Sequence, residues 1–413
     1  MTTGLPDLKD ADWLAEPRVR RIFRLFAEAG EEARIVGGAV RNALMGRPVA
    51  DLDFATTATP EKITALAVEA GIKAVPTGID HGTVTLVMDG KAFEVTTLRE
   101  DIVTDGRHAV VRFGRDWVAD AERRDFTVNA LSVDGGGRVH DPGGGHPDIV
   151  ARRIRFIGDP DTRIAEDRLR ILRFFRFHAE YGNGPVDAAG LAAAIRARAG
   201  LRDLSAERVG QEMRKLVVAL RAVETVTTMQ ECGILGVVLA GVGYLARFTR
   251  AVAFEAAVRT APNPATRLGG LAAAIEEDAT RITSRLRLSN VERDRIMAML
   301  AAGRDLAALP DIRAERRALY AHGPDAYRDG VMYAYAASGR DDMGAWRELY
   351  ALPDRWEAPK FPLGGRDVIG DGIRGPAVGE ILRTVEAWWI EQDFAPDEAA
   401  LRGRLQQMIA SAQ

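Results

Sequence analysis

The chain has 413 residues, 47% of them hydrophobic and 28% charged. That composition excludes global disorder and a collagen-like fibre, and the length asks for two to four domains rather than one core. The net charge is −3, which as a sum gives no sign of a nucleic-acid partner, so the distribution of charge matters more.

No run of about 18 uncharged apolar residues occurs, so no membrane span is expected. The first 30 residues carry acids and bases throughout (Asp7, Lys9, Asp10, Asp12, Glu16, Arg18) and lack the apolar core of a signal peptide. Cys232 is the only cysteine, which excludes an intrachain disulfide and a cysteine zinc site. A cytoplasmic protein is expected. The basic residues are mostly Arg, with only six Lys in the chain. Between Arg152 and Arg176 eight arginines face four acids, a local net of +4. Arg supplies the forked donors that suit phosphates and base edges.

In chain order, residues 18–29 predict an amphipathic helix, with Val19, Ile22, Phe23 and Phe26 at helical spacing and Gly30 as its stop. Residues 34–36 predict a short strand running into Gly37-Gly38, followed by a short helix over 39–45. Residues 51–55 predict a second strand. Thr59-Pro60 opens a helix to about Ala70. Residues 83–88 and 92–96 predict a hairpin about Asp89-Gly90. Residues 130–133 and 138–140 flank a Gly triplet. After Asp159-Pro160 the strand signals fade. Periodic Ala/Leu/Arg segments follow at about 160–180, 187–199, 205–220, 221–232, 243–260, 264–287, 290–303, 343–350 and 376–392. A mixed α/β unit with one small sheet therefore precedes an all-helical remainder.

Three motifs carry chemistry. The first is Gly37-Gly38-Ala-Val-Arg41 followed by Asp51-Leu-Asp53. In a strand, residues i and i+2 share a face, so both carboxylates aim together. They repel unless a cation lies between them. Mg²⁺ suits such oxygens, and two ions about 4 Å apart can activate a hydroxyl and steady a leaving pyrophosphate. The glycines let backbone N–H groups approach phosphate. A solvated pair on an edge strand is the plainer alternative. The second motif is Arg123-Arg124-Asp125-Phe126-Thr127-Val128-Asn129, whose arginines suit a triphosphate and whose Asp125 and Asn129 suit ribose hydroxyls. A surface ion cluster is the alternative. The third is Glu166-Asp167-Arg168-Leu169-Arg170, with Arg173 and Arg176 beyond, expected on one helix with a Glu166–Arg170 pair. A helix laced with salt bridges is the alternative.

In this order, GGAVRN…DLDF, EVTTLR, RRDFTVNA and EDRLRILRFFRF resemble the class II tRNA nucleotidyltransferase/poly(A) polymerase family, strongly over about 30–220 and more weakly at 361–382. The resemblance implies an α+β fold: a polymerase-β-like nucleotidyltransferase head with a small mixed sheet (1–145), then an all-helical neck (146–220), body (221–330) and tail (331–413). It implies that Asp51 and Asp53 are the catalytic metal ligands for two Mg²⁺ ions. Gly37, Gly38 and Arg41 then form the triphosphate turn, and Arg124, Asp125 and Asn129 select ribose. Asp167 and Arg170 read the base, supported by Glu166 and Arg173, while Ser205-Ala-Glu-Arg208 and Glu212 brace that helix. Arg176 and Glu94 take supporting roles. The sequence departs from the pattern at Asn42, where the family has Asp; the amide is expected to keep the local hydrogen bonds.

The activity this implies is template-independent addition of C, C and A to a tRNA 3′ end from CTP and ATP, with tRNA held by the helical region. Asp accepts and Arg donates, a pair that fits the pairing edges of cytosine and adenine and reverses against uracil and guanine. Residues 98–120, with Asp105-Gly106-Arg107-His108, resemble the family's mobile loop. Poly(A) polymerase and A-only enzymes are the nearest alternatives, and a silent RNA-binding relative is a third. The segment 75–82 reads as the CCA-type sequence rather than the basic run of poly(A) enzymes.

Overall fold

The computed structural model describes residues 4–78, 82–105, 108–307, 311–369 and 373–412. The chain divides into two compact units, Met1–Ala240 and Gly241–Gln413.

In the first unit, seven strands among the described residues form one sheet in the order β3-β4-β5-β2-β1-β8-β9. They are β1 (Ala33–Val36), β2 (Phe54–Thr56), β3 (Lys73–Gly78), β4 (Thr83–Met88), β5 (Lys91–Thr97), β8 (Ser132–Val133) and β9 (Val139–His140). All neighbours are antiparallel except β2 and β5, which run parallel with Phe54 beside Val95. The expected hairpin is β4–β5, and its turn needs the left-handed backbone that Asp89 (φ 49°) and Gly90 (φ 76°) adopt. The helix Pro17–Glu28 buries Val19, Ile22 and Phe26, while its Phe23 ring meets Phe54 edge-on at 5.3 Å. This packing is why residues 18–29 carry an apolar stripe.

Three local expectations need correction. Asp51–Asp53 is not in a strand, which starts at Phe54; even so, Leu52 is buried and both aspartates are exposed, so the inward–outward alternation survives. The Asp53 carbonyl still accepts from Val36 N at 2.9 Å, holding the segment beside β1. β3 is an addition to the expected strands; it contains Pro76 and lies at the sheet edge, where a missing N–H is tolerated. The residues expected as a loop over 98–120 include β6 (Arg99–Asp105) and β7 (His108–Phe113), a two-stranded sheet of their own. Gly106 and Arg107, at the centre of that expected loop, lie outside the described residues.

Among the described residues no strand follows β9, as expected. The single helix expected over 160–180 is two, Pro160–Glu166 and Leu169–Tyr181. Asp167 adopts extended backbone (φ −151°) and its Oδ1 accepts from Leu169 N at 3.0 Å, so it starts the second helix instead of continuing the first. Aromatic rings fill the interior below: Phe126, Phe156, Phe174 and Phe177 pack at 5.0–6.2 Å.

In the second unit the segment 264–287 is likewise two helices, broken at Ala273–Ile275, where Ala274 N donates to Asp278 Oδ2 at 2.9 Å. Among the described residues, four helices of this unit lie outside the expected segments: Ile312–Ser338, Glu398–Ala412 and the short Leu352–Arg355 and Gly365–Ile369. The first bends at Gly323 (φ 73°) before Pro324, which hid its periodicity; it also runs through residue 330, the expected border of body and tail. One core gathers Phe254, Tyr327 and Trp346. A second gathers Val368, Val385, Trp389 and Leu405. Among the described residues no helix is long and apolar enough to cross a membrane.

Candidate active site

A cleft of about 720 Å³ opens in the first unit, and the three sequence motifs meet in it. Gly37, Gly38, Arg41, Asp53 and Glu94 line one part; Arg124, Asp125 and Asn129 line another. Asp167, Arg170, Arg173 and Arg208 complete it. Asp51, Glu166 and Arg176 are not in the lining.

The turn between β1 and the helix Gly38–Leu44 is made by Gly37 at φ 68°. A side chain there would be strained by that backbone and would meet Arg124 Nη1 at 3.4 Å. The backbone is what calls for glycine here, and Arg124 lies against the turn at ordinary contact distance. Arg124 is aimed by Asp120, a buried aspartate whose Oδ2 accepts from Arg124 Nη2 at 3.0 Å while Oδ1 pairs with Arg123 at 2.8 Å. Sequence reasoning missed Asp120, which stands four residues before Arg124 on the helix Trp117–Glu122, a spacing that foretells such a pair.

Asp53 stands beside Glu94, because the parallel β2–β5 register carried back one residue from Phe54–Val95 makes them neighbours. The cleft walls desolvate the Asp53 carboxyl and push it above the usual carboxylate range. Glu94 and Asp51 add to the rise, and Arg124 opposes it. The carboxylate oxygens of Asp51, Asp53 and Glu94 are the hard donors that suit Mg²⁺, and their mutual repulsion is what a cation relieves. Among the described residues no group of three or more His, Cys, Asp or Glu is gathered closely enough to hold a metal by itself. A cation here would complete its shell with water or the oxygens of a bound substrate, the usual habit of Mg²⁺.

Behind these groups lies a buried polar chain. Arg41 Nη1 donates to Asn129 Oδ1 at 2.6 Å, and Asn129 Nδ2 donates to Asp125 Oδ1 at 3.0 Å. Asp125 Oδ2 accepts from Arg173 Nε at 2.7 Å. Burial drives the Asp125 carboxyl up, but Arg173, Asn129 and the Phe126 N–H outweigh it and hold it below the usual range. Arg41 also donates to Tyr181 Oη at 2.8 Å and lies over that ring at 3.8 Å. Asn42 accepts from Arg41 Nη2 at 2.9 Å and donates through Nδ2 to the Pro48 carbonyl at 3.2 Å. A carboxylate could not make the second bond. Tyr181 was not singled out in the sequence; an aromatic at the end of an apolar helix gives no sign of its polar tip.

Around the helix break, Arg170 pairs with Glu166, as the i,i+4 spacing predicts. Asp167 and Arg170 are not neighbours on one continuous helix, because the break intervenes. Asp167 Oδ2 instead accepts from Arg208 at 2.6 Å. Ser205 caps the helix Ala206–Val217 that carries Arg208 and Glu212, and Glu212 Oε2 accepts from Arg176 Nε at 2.5 Å. Arg163, a further residue the sequence reading passed over, is buried among these elements.

The sheet, the glycine turn and a cleft that sets carboxylates among arginines are those of a nucleotidyltransferase of the poly(A) polymerase class, whose head-domain family model matches residues 33–155. The mouse mitochondrial CCA tRNA nucleotidyltransferase 1 is 32% identical over 394 residues, covering 93% of this chain and 88% of its own. A CCA-adding enzyme of Limosilactobacillus fermentum is 32% identical over 392 residues, 92% and 94% of the two chains. The crystal structure of a Bacillus stearothermophilus CCA-adding enzyme in complex with CTP superposes with a TM-score of 0.74 at 28% identity, covering 96% of this chain and 99% of that one. The chain belongs to the CCA tRNA nucleotidyltransferase family.

Proposed function

We propose that this enzyme adds C, C and A in turn to the 3′ end of tRNA, taking CMP and AMP from CTP and ATP and releasing pyrophosphate. The observation that carries the reading is the convergence of Asp53, Arg124 and the Asp167/Arg170 pair on one cleft. It is supported by relatives that carry that activity in their names along nearly the whole chain.

In this reading Asp51 and Asp53, with Glu94 in support, would hold two Mg²⁺ ions, which when bound polarise the α-phosphate and stabilise the departing pyrophosphate. Arg124 and the Gly37-Gly38 turn grip the triphosphate. Arg41 orders Asn129, and Asn129 with Asp125 sets the ribose. Arg173 is fixed by Asp125 with its head in the cleft, where it adds positive charge beside the sugar and phosphates. Arg176 and Glu212 brace the helix behind. The tRNA 3′ hydroxyl attacks the α-phosphate in line, with no covalent enzyme intermediate required.

Asp167 accepts and Arg170 donates, matching the amino group and ring nitrogen of cytosine or adenine. Uracil or guanine leaves each partner unsatisfied, at about 1–3 kcal/mol per group. Residues 1–145 then act as head and 146–220 as the base-selecting neck, with tRNA on the helical body (221–330) and tail (331–413), held through phosphates and shape. A cytoplasmic location is part of the proposal, and imaging a tagged chain tests it against the mitochondrial location in the name of the mouse relative.

The test uses purified protein, tRNA lacking its 3′ CCA, Mg²⁺ and labelled CTP and ATP, separately and together. Addition of C, C and A followed by a stop is expected. A long A tail supports a poly(A) polymerase, addition of A alone an A-only enzyme, and no addition a silent RNA-binding relative.

A further inference from the structure

Arg163 lies on the helix Pro160–Glu166, one turn before the base-reading segment, and its side chain is buried. Its Nη2 donates to two main-chain carbonyls at once, Arg123 O at 2.5 Å and Arg124 O at 2.6 Å. Its Nη1 donates to Glu166 Oε2 at 2.5 Å. The same Glu166 oxygen accepts from Arg170, and Arg170 also donates to the carbonyl of Arg163 at 2.9 Å. Two guanidinium groups therefore share one carboxylate oxygen, and one of them is bolted to the backbone of the Arg123-Arg124-Asp125 segment.

The geometry of that segment gives the contact its meaning. Arg123 closes the helix Trp117–Glu122. Its carbonyl is one of the acceptors a helix end leaves behind, that of Arg124 follows directly, and one buried guanidinium nitrogen satisfies both. The side chain of Arg124 leaves in another direction, to Asp120 and to the Gly37 turn. Asp125, the next residue, holds Arg173 and Asn129. One guanidinium thus spans the distance from the groups that meet base to the groups that meet sugar and phosphate.

We propose that Arg163 is a positioning residue for base selection: it sets how far Glu166, Asp167 and Arg170 stand from the backbone that carries Arg124 and Asp125. The proposal rests on the nucleotide-selecting reading above. Base discrimination depends on two hydrogen bonds made at a fixed distance from the ribose, so loosening this link costs selectivity before it costs binding of the triphosphate. Lys cannot replace it, because an ammonium lacks the planar fork that reaches two carbonyls and a carboxylate together.

The experiment measures the ratio of kcat/KM for CTP to that for UTP, on tRNA lacking CCA, in the wild type, Arg163→Ala, Arg163→Lys and Arg196→Ala. The ratio is internal to each protein and independent of the fraction that is correctly folded, and Arg163→Lys serves if the alanine variant does not fold. Arg196 makes an exposed fork to Asp161 on the same helix at 3.0 and 2.5 Å, so its loss loosens that helix without touching the 123–124 carbonyls. Arg163→Ala is expected to lower the ratio about tenfold or more, the scale on which small misplacements act. Arg163→Lys should fall between, and Arg196→Ala should match the wild type. A wild-type ratio in both Arg163 variants, or an equal fall in Arg196→Ala, overturns the proposal. Failure of the wild type to use CTP at all refutes the nucleotide-selecting reading instead.

Discussion

Arg173 reaches Asp125 at 2.5 Å, and that ion pair fastens the helix Leu169–Tyr181 to the segment holding Arg124. The two residues are 48 positions apart, and each is placed by its own element. Asp125 is buried, while Arg173 keeps about a third of its side chain open in the cleft. The contact therefore serves packing and site geometry together.

Asp125→Asn should destabilise the protein by about 2 kcal/mol at pH 7, on the low side for breaking a buried pair because Arg173 is partly solvated. The carboxyl is held below its usual range in the folded state. Its stabilisation is therefore fully present above the unfolded value of about 3.9 and fades as pH falls through the folded one. Urea midpoints of wild type and variant should differ at pH 7 and draw together towards pH 3. A gap that stays constant across that range argues that the charge of Asp125 is not what counts.

Asp53→Asn should lose activity by about 10²–10³-fold, the range for removing one electrostatic stabiliser. It should also melt at a higher temperature than the wild type at pH 7. The folded state raises the Asp53 carboxyl, so this group favours folding most below its unfolded value, and that benefit is lost as pH rises through the raised one. The stability difference should open as pH rises above the unfolded value of about 3.9. Millimolar Mg²⁺ added with CTP should raise the melting temperature of the wild type beyond the effect of CTP alone, and should not do so in the variant, since a ligand stabilises only the state that binds it. An equal shift in both proteins would locate the cation elsewhere.

The fold and much of the site were legible because they rest on short-range rules. The Gly37-Gly38 turn, the Asp89-Gly90 hairpin, the Thr59-Pro60 helix start and the Glu166–Arg170 pair each declare themselves within a few residues. What was not legible depends on partners far away in sequence. Nothing near Asp167 announces that it leaves the helix, because that choice is paid for by Leu169 N on one side and Arg208, 41 residues on, at the other. Tyr181 is 140 residues from the Arg41 it holds, and Arg163 is about 40 from the carbonyls it clasps. Pro76 and Pro324 lie in a strand and a helix that local sequence does not announce, because an edge position and a kink tolerate what a strand or helix interior does not.

Arg208→Ala should weaken base selection while leaving the fold intact. It frees Asp167 Oδ2, but Asp167 Oδ1 keeps its bond from Leu169 N and so still starts the helix. Misincorporation of UMP in place of CMP should rise about tenfold, the equivalent of roughly one hydrogen bond to a charged group. Sequencing the products of reactions supplied with mixed nucleotides measures it; an unchanged error rate removes Arg208 from the account.

Tyr181→Phe deletes one hydroxyl and keeps the ring under Arg41. Burial pushes the phenol up to about 12, so it is neutral at working pH and acts as a hydrogen-bond partner only. KM for CTP and ATP should rise about 2- to 10-fold, the worth of one such bond, with kcat little changed. A fall in kcat at constant KM would assign Tyr181 to the chemical step.

The central claim is that one cleft, lined by carboxylates and arginines, joins C, C and A to tRNA and then stops. Counting pyrophosphate released per tRNA tests it most directly. With CTP alone the count should level at two, and with CTP and ATP together at three, both approached about 10²–10³-fold more slowly in Asp53→Asn. Release that continues for as long as ATP lasts, or a count of zero with intact Asp53, would contradict it.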